Sequence, residues 1–366
     1  MNLRLHAQKI HGVVHDIQLS EPVIFADNEK EHRSGHLGHA LTEFAPGKVM
    51  AFSSNTSGYR YAGHAHFGWM EYSISEDYGE TFGEKVKLPY AWKEFLDGMH
   101  TIAVEKAITL SSGEIAAFCL VTSQETTACT NPFGRPTVVL SADQGKTWSE
   151  PVEVTEYTGR IFDVLYHEGV AYVLQHCEAE ANNPKCEHFY KLFCSVDNCR
   201  TFREISTLPF ATSGRAYGTM IFTPAGDLMA YVYNYQDEYN MDCAISHDNG
   251  RTWDAPFLSY VPKRIRNPQI GYLDNQYILM GRAGESESSQ YGAFVLYTSA
   301  DGIHWDDGVI LVDMRQASFY SDNITLTLPN GSQKMLVKYS ENYNDKVWGI
   351  STAQVNSMML AITTCK

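Results

Sequence analysis

The chain lacks long apolar runs, and no stretch of its 366 residues approaches the length of a membrane-spanning helix. Its first residues, MNLRLHAQKIHGVVHDI, hold no apolar segment of the kind that a secretion signal needs. Helical periodicity is also scarce, and the clearest helical candidate is the short segment 90–96. These absences argue against a helical membrane protein and a helical bundle, and we expect an all-β, cytoplasmic protein.

Basic residues are few. The chain has 28 lysines and arginines against 43 acidic residues, which gives a formal net charge of −15. Nucleic acids and anionic membrane surfaces are bound through basic footprints, so this charge argues against both as partners. A small anionic ligand stays compatible with it, because a few clustered arginines suffice to make a locally positive pocket.

Cysteine pairs and linkers are missing as well. The eight cysteines contain no CxxC motif, and we expect buried or free thiols in a reducing compartment. If a leader preceded the chain, Cys177 with Cys186 and Cys194 with Cys199 would be the candidates for disulfides. No Pro/Ser-rich or low-complexity run divides the sequence, so we predict that residues 1–366 form one domain.

What the sequence does contain is one phrase repeated five times, with the consensus Ser-x-Asp-x-Gly-x-Thr-Trp/Phe. The copies are residues 75–82, 141–148, 195–202, 246–253 and the shortened 299–305. Their aspartates lie 66, 54, 51 and 53 residues apart. A period of this size indicates one supersecondary unit that recurs, as in a propeller or a solenoid.

Each copy follows an apolar, strand-like segment and precedes another, which predicts a hairpin turn. The aspartate can accept bonds from turn amides, the glycine allows a positive φ, and the aromatic residue can pack against the neighbouring unit. Cys199 stands where the third copy should have glycine, which predicts a distorted turn. We therefore predict that all five aspartates are structural.

The repeated phrase resembles the Asp-box of the sialidase (neuraminidase) superfamily, whose boxes lie on outer hairpins away from the catalytic face. A second repeat, glycine followed by any residue, two apolar residues, alanine and a further apolar residue, supports the resemblance. It recurs near Gly47, Gly113, Gly169, Gly226, Asn275 and Gly331. Six copies predict a six-bladed β-propeller of four-stranded antiparallel blades.

The sixth unit has no box before the chain ends. A closed ring needs its last sheet completed, because an open edge leaves ladder groups unpaired. We therefore predict that an N-terminal strand near residues 13–25 joins the last blade.

In a propeller, the inner strand of each blade starts near the axis at the face that carries the pocket. The residues there are rich in Arg, His and Tyr. They are Arg33, His36, His39, His100, Arg160, Asp163, Arg215, Tyr217, Arg264, Arg266, Tyr320 and Asp322. Arginines gathered at strand starts favour binding of a carboxylate or sulfate; local ion pairs are the alternative.

Sialidases hold the sialate carboxylate with three arginines, and they use a tyrosine nucleophile activated by a glutamate and an aspartate acid/base. The segment SFYSDNITL resembles their nucleophile segment, which implies that Tyr320 is the nucleophile. Other positions depart from the family pattern. Tyr217 stands for the glutamate, Asn234 for the second arginine, and Arg33 gives a weak match to the first-blade motif. The aspartate expected after the first blade is missing from residues 53–69.

The first blade is rich in histidine. His64 and His66 would point to one side of an extended segment, and His36 and His39 belong to the same blade. Four histidines favour a general acid/base set or a metal site, although they can also stack on nearby aromatic rings. No ligand spacing demands a metal, and we predict neither a metal nor a cofactor.

Three functions follow from these residues. The first is a sialidase-like glycoside hydrolase acting on a terminal anionic sugar of a glycan. Its predicted catalytic residues are Tyr320, Asp163, His36, His39, His64 and Tyr217. Its predicted substrate-binding residues are Arg33, Arg160, Arg215, Arg266, His66, His100 and Asp322.

The second is a lyase that acts by β-elimination next to a uronic acid, with Tyr217 or a histidine taking the C5 proton. The Arg, His and Tyr content also resembles that of propeller enzymes that cleave uronate-containing polysaccharides. The third is a glycan-binding propeller without catalysis. The sequence leaves the sugar, the linkage and the oligomeric state open.

Overall fold

A computed structural model describes residues 3–6, 16–57, 67–123, 133–178, 188–283, 293–313, 320–342 and 355–364. Its strands form six antiparallel sheets arranged as the blades of a ring, which confirms the predicted six-bladed β-propeller. None of the described helices is long and apolar enough to cross a membrane.

The chain begins with strands β1 (Leu3–His6), β2 (Asp16–Leu19) and β3 (Val23–Ala26). Blade 1 follows as β4 (Arg33–Ser34), β5 (Leu41–Ala45), β6 (Lys48–Ser57), β7 (Gly68–Ser75) and β8 (Val86–Lys87). Helix α1 (Pro89–Leu96) then connects blade 1 to blade 2, as predicted for residues 90–96. Pro89 suits the start of this helix, because its fixed φ is helical and its missing N–H would have no helical partner there.

Blades 2 to 5 each contain four consecutive strands, ordered from the axis outward. Blade 2 is β9 (His100–Thr109), β10 (Ile115–Ser123), β11 (Thr137–Ser141) and β12 (Val152–Glu153). Blade 3 is β13 (Gly159–His167), β14 (Val170–Glu178), β15 (His188–Ser195) and β16 (Arg203–Thr207). Blade 4 is β17 (Arg215–Phe222), β18 (Leu228–Asn234), β19 (Asn240–Ser246) and β20 (Phe257–Tyr260). Blade 5 is β21 (Arg266–Leu273), β22 (Gln276–Ala283), β23 (Ala293–Ser299) and β24 (Val309–Asp313).

Blade 6 joins the two ends of the described chain. Its first three strands are β25 (Ser321–Thr327), β26 (Gln333–Asn342) and β27 (Val355–Thr364). The N-terminal strands β2 and β3 both pair with β27, with Ile17 opposite Thr364 and Ile24 opposite Met358. This confirms the predicted closure of the ring by an N-terminal strand.

The five repeated turns connect the third and fourth strands of blades 1 to 5; the first four share one hydrogen-bond pattern, and in the shortened fifth the His304 and Ile303 N–H groups donate to Asp301 in place of a Thr. In the first, Thr81 donates to Asp77 from its backbone N–H (2.9 Å) and its hydroxyl (2.5 Å), and Gly79 N–H donates to Ser75 Oγ (2.8 Å). The bonds from Thr81 lower the pKa of Asp77 to about 2. The predicted structural role of the five aspartates follows from this geometry.

The predicted distortion of the third turn is wrong. Cys199 adopts φ 61°, close to the values of the glycines at the same position, and its N–H still donates to Ser195 Oγ at 2.9 Å. Asp197 keeps both bonds from Thr201. The turn therefore forces Cys199 into the left-handed region, and the cost of a side chain there is met by the surrounding bonds.

The aromatic residue of each turn packs against the preceding blade. Trp253 Nε1 donates to Ser206 in blade 3, and Trp305 Nε1 donates to Ser259 in blade 4, both at 2.9 Å. The other three contacts are ring pairs: Trp148 with Tyr72, Phe202 with Phe118, and Phe82 with Phe25. The last pair links blade 1 to β3, so the same type of aromatic contact also stabilises the closure of the ring.

Five cysteines of the described chain are free and buried: Cys119, Cys177, Cys194, Cys199 and Cys243. The predicted buried thiols are confirmed for these five, and Cys194 and Cys199 do not form a disulfide.

Candidate functional site

A cavity of about 40 Å³ opens on the ring axis at the face where the inner strands begin, opposite the repeated turns. Every blade contributes to its lining. The residues are Leu37, Gly38 and His39 from blade 1, Glu105 and Lys106 from blade 2, Arg160 and Phe162 from blade 3, Tyr217 and Gly218 from blade 4, Asn267 and Gln269 from blade 5, and Tyr320 and Ser321 from blade 6.

β-Bulges aim these side chains. The pairing register shifts in β9 at Glu105, in β13 at Phe162, in β17 at residues 216–217 and in β21 at residues 267–268. A regular strand presents alternate residues to one side, whereas the extra residue of a bulge turns two neighbours the same way. Consecutive residues such as Glu105 and Lys106 therefore both line the cavity.

A chain of hydrogen bonds runs across the cavity from Tyr320 to Glu105. The hydroxyls of Tyr320 and Tyr217 lie 2.8 Å apart, and Arg160 Nη1 donates to the Tyr217 hydroxyl at 3.0 Å. Arg160 Nε and Nη2 both donate to Glu105 Oε2, at 2.9 and 2.7 Å. The guanidinium also lies 4.8 Å from the Tyr217 ring centroid and 5.3 Å from that of Tyr320, so one cation serves both rings.

Burial shifts the pKa values of the residues in this hydrogen-bonded series. It raises the pKa of Glu105, although the Arg160 charge opposes the shift. Burial and the nearby Tyr320 raise the pKa of Tyr217 well above its usual value, so this phenol stays protonated at neutral pH. The Glu105 side chain is only 10% exposed, and its Oε1 has no hydrogen-bond partner among the described residues. An acceptor is thus left available at the cavity wall.

Below the cavity, Lys106 forms the centre of a buried polar hub. Its Nζ lies 2.6 Å from Asp322 Oδ1, 3.2 Å from Asp163 Oδ1 and 2.5 Å from Gln269 Oε1. Leu41 N–H in blade 1 donates to Asp322, and the Thr219 hydroxyl in blade 4 donates to Asp163. The hub therefore ties all six blades together at the axis.

Opposite effects set the charges of the hub. Burial alone would lower the pKa of Lys106, but Asp163 and Asp322 outweigh it and the pKa is raised. Burial raises the pKa of Asp322, while Lys106 opposes the shift. Asp163 also accepts bonds from the backbone N–H groups of Val164 and Met220. We predicted Asp163 as an acid/base and Asp322 as a substrate ligand, and the structure places both in the hub with their oxygens occupied by protein donors.

His39 lines the cavity with both ring nitrogens engaged by the protein. Lys338 Nζ lies 3.1 Å from Nδ1, and Nε2 lies 3.1 Å from the His36 carbonyl oxygen. The Lys338 amine donates to Nδ1, and the His36 carbonyl accepts from Nε2. The ring is therefore the neutral tautomer that is protonated at Nε2. Burial, together with the Lys338 charge, lowers the pKa of His39 well below its usual value. His39 is therefore a poor proton donor to substrate in this arrangement.

His36 lies against the predicted nucleophile. Its ring contacts that of Tyr320 edge to face, with centroids 4.9 Å apart. His64 and His66, the other histidines predicted for the site, lie outside the described residues.

Two arginines lie outside the cavity lining but beside its tyrosines, and they face each other across β21 and β22. Arg266 is paired in register with Arg282 and donates to the Tyr233 hydroxyl at 3.3 Å. Arg266 Nε also lies 3.1 Å from Glu238 Oε1, although its N–H is not aimed at that oxygen. Burial and the Arg266 charge lower the pKa of Arg282, whose buried Nε has no hydrogen-bond partner among the described residues. A half-buried guanidinium whose Nε has no partner among the described residues favours binding of an anion.

The structure places three predicted substrate ligands elsewhere. Arg33 donates to the Asn55 side chain at 2.7 Å and lies over the Trp69 ring. Arg215 forms a two-point ion pair with Asp242, at 2.6 and 3.2 Å. His100 Nδ1 lies 2.6 Å from Glu94 Oε2 in α1. None of the three lines the cavity.

Three important residues escaped the sequence analysis. Glu105 and Lys106 are neighbours on one strand, and only the bulge brings both to the axis. Arg282 lies on the second strand of its blade, whereas the predicted site residues lie at the starts of inner strands. Its position opposite Arg266 in the hairpin was the available signal. Within the described residues, no three His, Cys, Asp or Glu side chains converge as a metal site requires.

Comparison with known proteins gives similarity in structure alone. No family model and no curated protein matches the sequence. A protein of unknown function from Dyadobacter fermentans superposes with a TM-score of 0.71 and 14% identity, over 95% of this chain and 99% of that one. A Hadza microbial sialidase gives 0.67 and 13%, over 94% and 68%.

The NanB sialidase of Streptococcus pneumoniae gives a TM-score of 0.61 and 11% identity, over 92% of this chain and 70% of that one. Identities this low show a shared fold and nothing finer. The predicted resemblance is confirmed at that level: the chain is a sialidase-like six-bladed β-propeller, diverged in sequence from the sialidases whose fold it shares.

Proposed function

We propose that this protein is a carbohydrate-active enzyme, a glycoside hydrolase that removes a terminal anionic sugar in the axial cavity. The observation that carries the proposal is the chain from Tyr320 through Tyr217 and Arg160 to Glu105, with Arg282 unpartnered among the described residues beside it. Sialidases of the same fold act on sialosides, which supports an anionic sugar as the substrate.

In this proposal, Arg266 and Arg282 bind the carboxylate of the sugar. An anion between them would offset the repulsion between the two arginines and the desolvation of Arg282, which together lower the pKa of Arg282. Arg160 is already paired with Glu105, so it acts on the tyrosines and contributes less to the carboxylate. Glu105 Oε1, which has no protein donor among the described residues, would accept a bond from a sugar hydroxyl.

Tyr320 faces the anomeric carbon as nucleophile or charge stabiliser. Overall, water adds across the glycosidic bond, with its hydroxyl going to the anomeric carbon and a proton going to the departing oxygen. Tyr217 and Arg160 stabilise negative charge that develops on the Tyr320 oxygen. His36, in ring contact with Tyr320, is the acid/base candidate among the described residues.

A lyase is the second candidate, and one observation favours it. Tyr217 occupies the place where the resemblance expects a glutamate, and its hydroxyl contacts both Tyr320 and Arg160. Two hydrogen-bonded tyrosines under a guanidinium suit proton transfer at a carbon next to a carboxylate. The third candidate, glycan binding without turnover, uses the same arginines.

The test is a screen of sialosides and uronate-containing oligosaccharides in water labelled with heavy oxygen, analysed by mass spectrometry. A hydrolase puts the label into the product, whereas a lyase gives an unlabelled, unsaturated product that absorbs in the ultraviolet. Tyr320→Phe should lose turnover by at least about a thousandfold. Tyr277→Phe, at the opposite end of blade 5, is the matched control.

Full turnover by Tyr320→Phe would refute the hydrolase proposal. Sugar binding that depends on Arg282, with no product from the wild-type protein, would establish the glycan-binding function instead.

A further inference from the structure

Blade 4 has the shortest connection at the rim of the cavity face. Only residues 235–239 join β18 to β19, whereas at least nine residues join the second and third strands of every other blade. A short connection leaves little chain to rise above the ring on this side. Among the described residues, the surface of blade 4 beside the cavity is formed by the side chains of this loop and of β20.

This loop is held rigidly. Tyr235 N–H donates to Gly214 O at 2.9 Å, and Val261 N–H donates to Tyr239 O at 2.8 Å. Ile265 N–H donates to Glu238 O at 2.9 Å, and Asn240 Nδ2 donates to Asp237 Oδ2 at 2.7 Å. The backbone is thus fixed to both neighbouring segments, and the loop presents its side chains at little cost in conformational entropy.

Tyrosines and arginines continue from the cavity across this rim. Tyr217 stacks on Tyr233, with ring planes 8° apart and centroids 6.1 Å apart, and the Arg266 guanidinium lies over the Tyr233 ring. Glu238 contacts Arg266 and so links the loop to the site. Farther out, the Tyr239 and Tyr260 rings are nearly parallel, at 13° and 6.4 Å. We call Tyr235, Tyr239 and Tyr260 the blade 4 track; the buried Tyr233 and the half-buried Arg266 connect it to the cavity.

The outer part of the track is open to solvent. Tyr235 is 53% exposed and Tyr260 is 57% exposed, which is high for large aromatic side chains. Arg264 has φ 60°, and its guanidinium lies 5.2 Å from the Tyr239 ring, so a second cation accompanies the outer rings. Aromatic faces next to arginines suit a ligand that has flat C–H faces and negative charges.

We infer that the blade 4 track binds the sugars that follow the terminal residue of an anionic oligosaccharide. The inference rests on the proposed function, because the terminal sugar must lie in the cavity for the following sugars to reach the track. Adjacent strands lie about 4.8 Å apart, so the path from β17 to β20 is about 14 Å long. That length accommodates two to three sugar rings. The substrate is then a charged chain, bound across blade 4 with its end in the cavity.

The experiment measures affinity against chain length by calorimetry, in a Tyr320→Phe background that prevents turnover. Two probe series separate the sources of the charge: oligomers of sialic acid and oligomers of a uronic acid, each from the monosaccharide upward. Affinity should rise with length until the track is filled. Replacing both Tyr239 and Tyr260 by Ala should weaken binding of the longer oligomers by at least about tenfold and leave the monosaccharide unaffected.

Two matched variants control for indirect effects. Tyr260→Phe keeps the ring and should keep the affinity. Leu258→Ala removes a 60% exposed side chain two residues away on the same strand and should change nothing. An unchanged length dependence in the double variant, or an equal loss in Leu258→Ala, would overturn the track.

The same data distinguish the track from the proposed function. Oligomers that bind through Tyr239 and Tyr260 while the monosaccharide fails to bind in the Arg266 and Arg282 region would overturn the cavity assignment alone. Monosaccharide binding with no gain from added length would overturn the track alone. No binding by any member of either series would overturn both.

Discussion

On one face of the ring, four turns repeat the same hydrogen bonds and the shortened fifth keeps its Ser and Asp bonds, whereas on the other face each blade presents different side chains to one cavity. The repeated turns join blades in pairs through Trp or Phe contacts. The cavity face joins blades through single groups such as Lys106 and Arg160. The period of the sequence therefore constrains the turn face, where every blade needs the same turn.

The two faces also differ in what their polar groups contribute to stability. Asp77 and its counterparts accept bonds from their own turns, and these bonds lower the pKa values of the aspartates. At the cavity, burial raises the pKa of Glu105 and lowers that of Arg282. The charges of the turn aspartates therefore stabilise the folded state, whereas burial of the charges of Glu105 and Arg282 destabilises it.

The largest effect is expected at the hub, which joins all six blades at the cavity face. Lys106→Met leaves two buried carboxylates uncompensated, and we expect a loss of about 3–5 kcal/mol in the free energy of unfolding. The loss should shrink at acidic pH, because protonation of Asp322, whose pKa is already raised, removes the unpaired charge. Denaturant unfolding at two pH values measures both.

The double variant Lys106→Met, Asp322→Asn is the control and should recover part of the stability. An unfolding midpoint equal to that of the wild type would show that the hub does not hold the blades together.

The second effect tests the turn face. Gly79 and Gly113 both have positive φ, 79° and 83°, but a Cβ at Gly79 would overlap Leu336 of blade 6, whereas a Cβ at Gly113 meets no atom within 4 Å. Replacement by Ala should cost about 1 kcal/mol at Gly113, from the backbone alone, and about 2–3 kcal/mol at Gly79. Thermal unfolding of both variants measures the difference, and equal losses would contradict interblade packing at this turn.

The third effect runs in the opposite direction. Arg282→Met removes a half-buried charge whose Nε has no hydrogen-bond partner among the described residues, so we expect the protein to become more stable by about 1 kcal/mol. Binding of anionic sugars should fall at the same time. Arg215→Met, which breaks the ion pair with Asp242, should instead destabilise and serves as the matched control. A destabilised Arg282→Met would mean that the arginine is already neutralised.

The smallest effect is expected at the exceptional turn. Cys199→Gly relieves a positive φ of 61° but removes a buried thiol, and the two contributions should cancel to within about 1 kcal/mol. Cys199→Ala keeps the strain and loses the sulfur, so it should be the less stable of the two. Calorimetric unfolding of the pair decides, and a more stable Cys199→Ala would show that backbone strain is unimportant at this turn.

The sequence predicted the turn face almost completely because its information is local. Ser75, Asp77, Gly79 and Thr81 bond within one turn, and five copies remove the ambiguity. Ring closure was also predictable, since a missing fourth strand must be supplied from somewhere.

The cavity was predicted in part. Tyr320, Tyr217, Arg160 and His36 meet as the positions of inner strands suggest. Glu105 was missed because strand alternation does not reveal a bulge. His39 gave no sign of its partner, because Lys338 is 299 residues away in the sequence and is brought to it only by the closed ring.

Ring closure also has a consequence for the order of folding. Strands β2 and β3 precede blades 1 to 5 in the sequence but pair with β27, which follows those blades. During synthesis, five blades can form before β2 and β3 have a partner, so an unpaired sheet edge persists until β27 is synthesised. A circularly permuted chain that starts between two blades and joins the present ends would fold each blade from contiguous sequence and shorten that exposure.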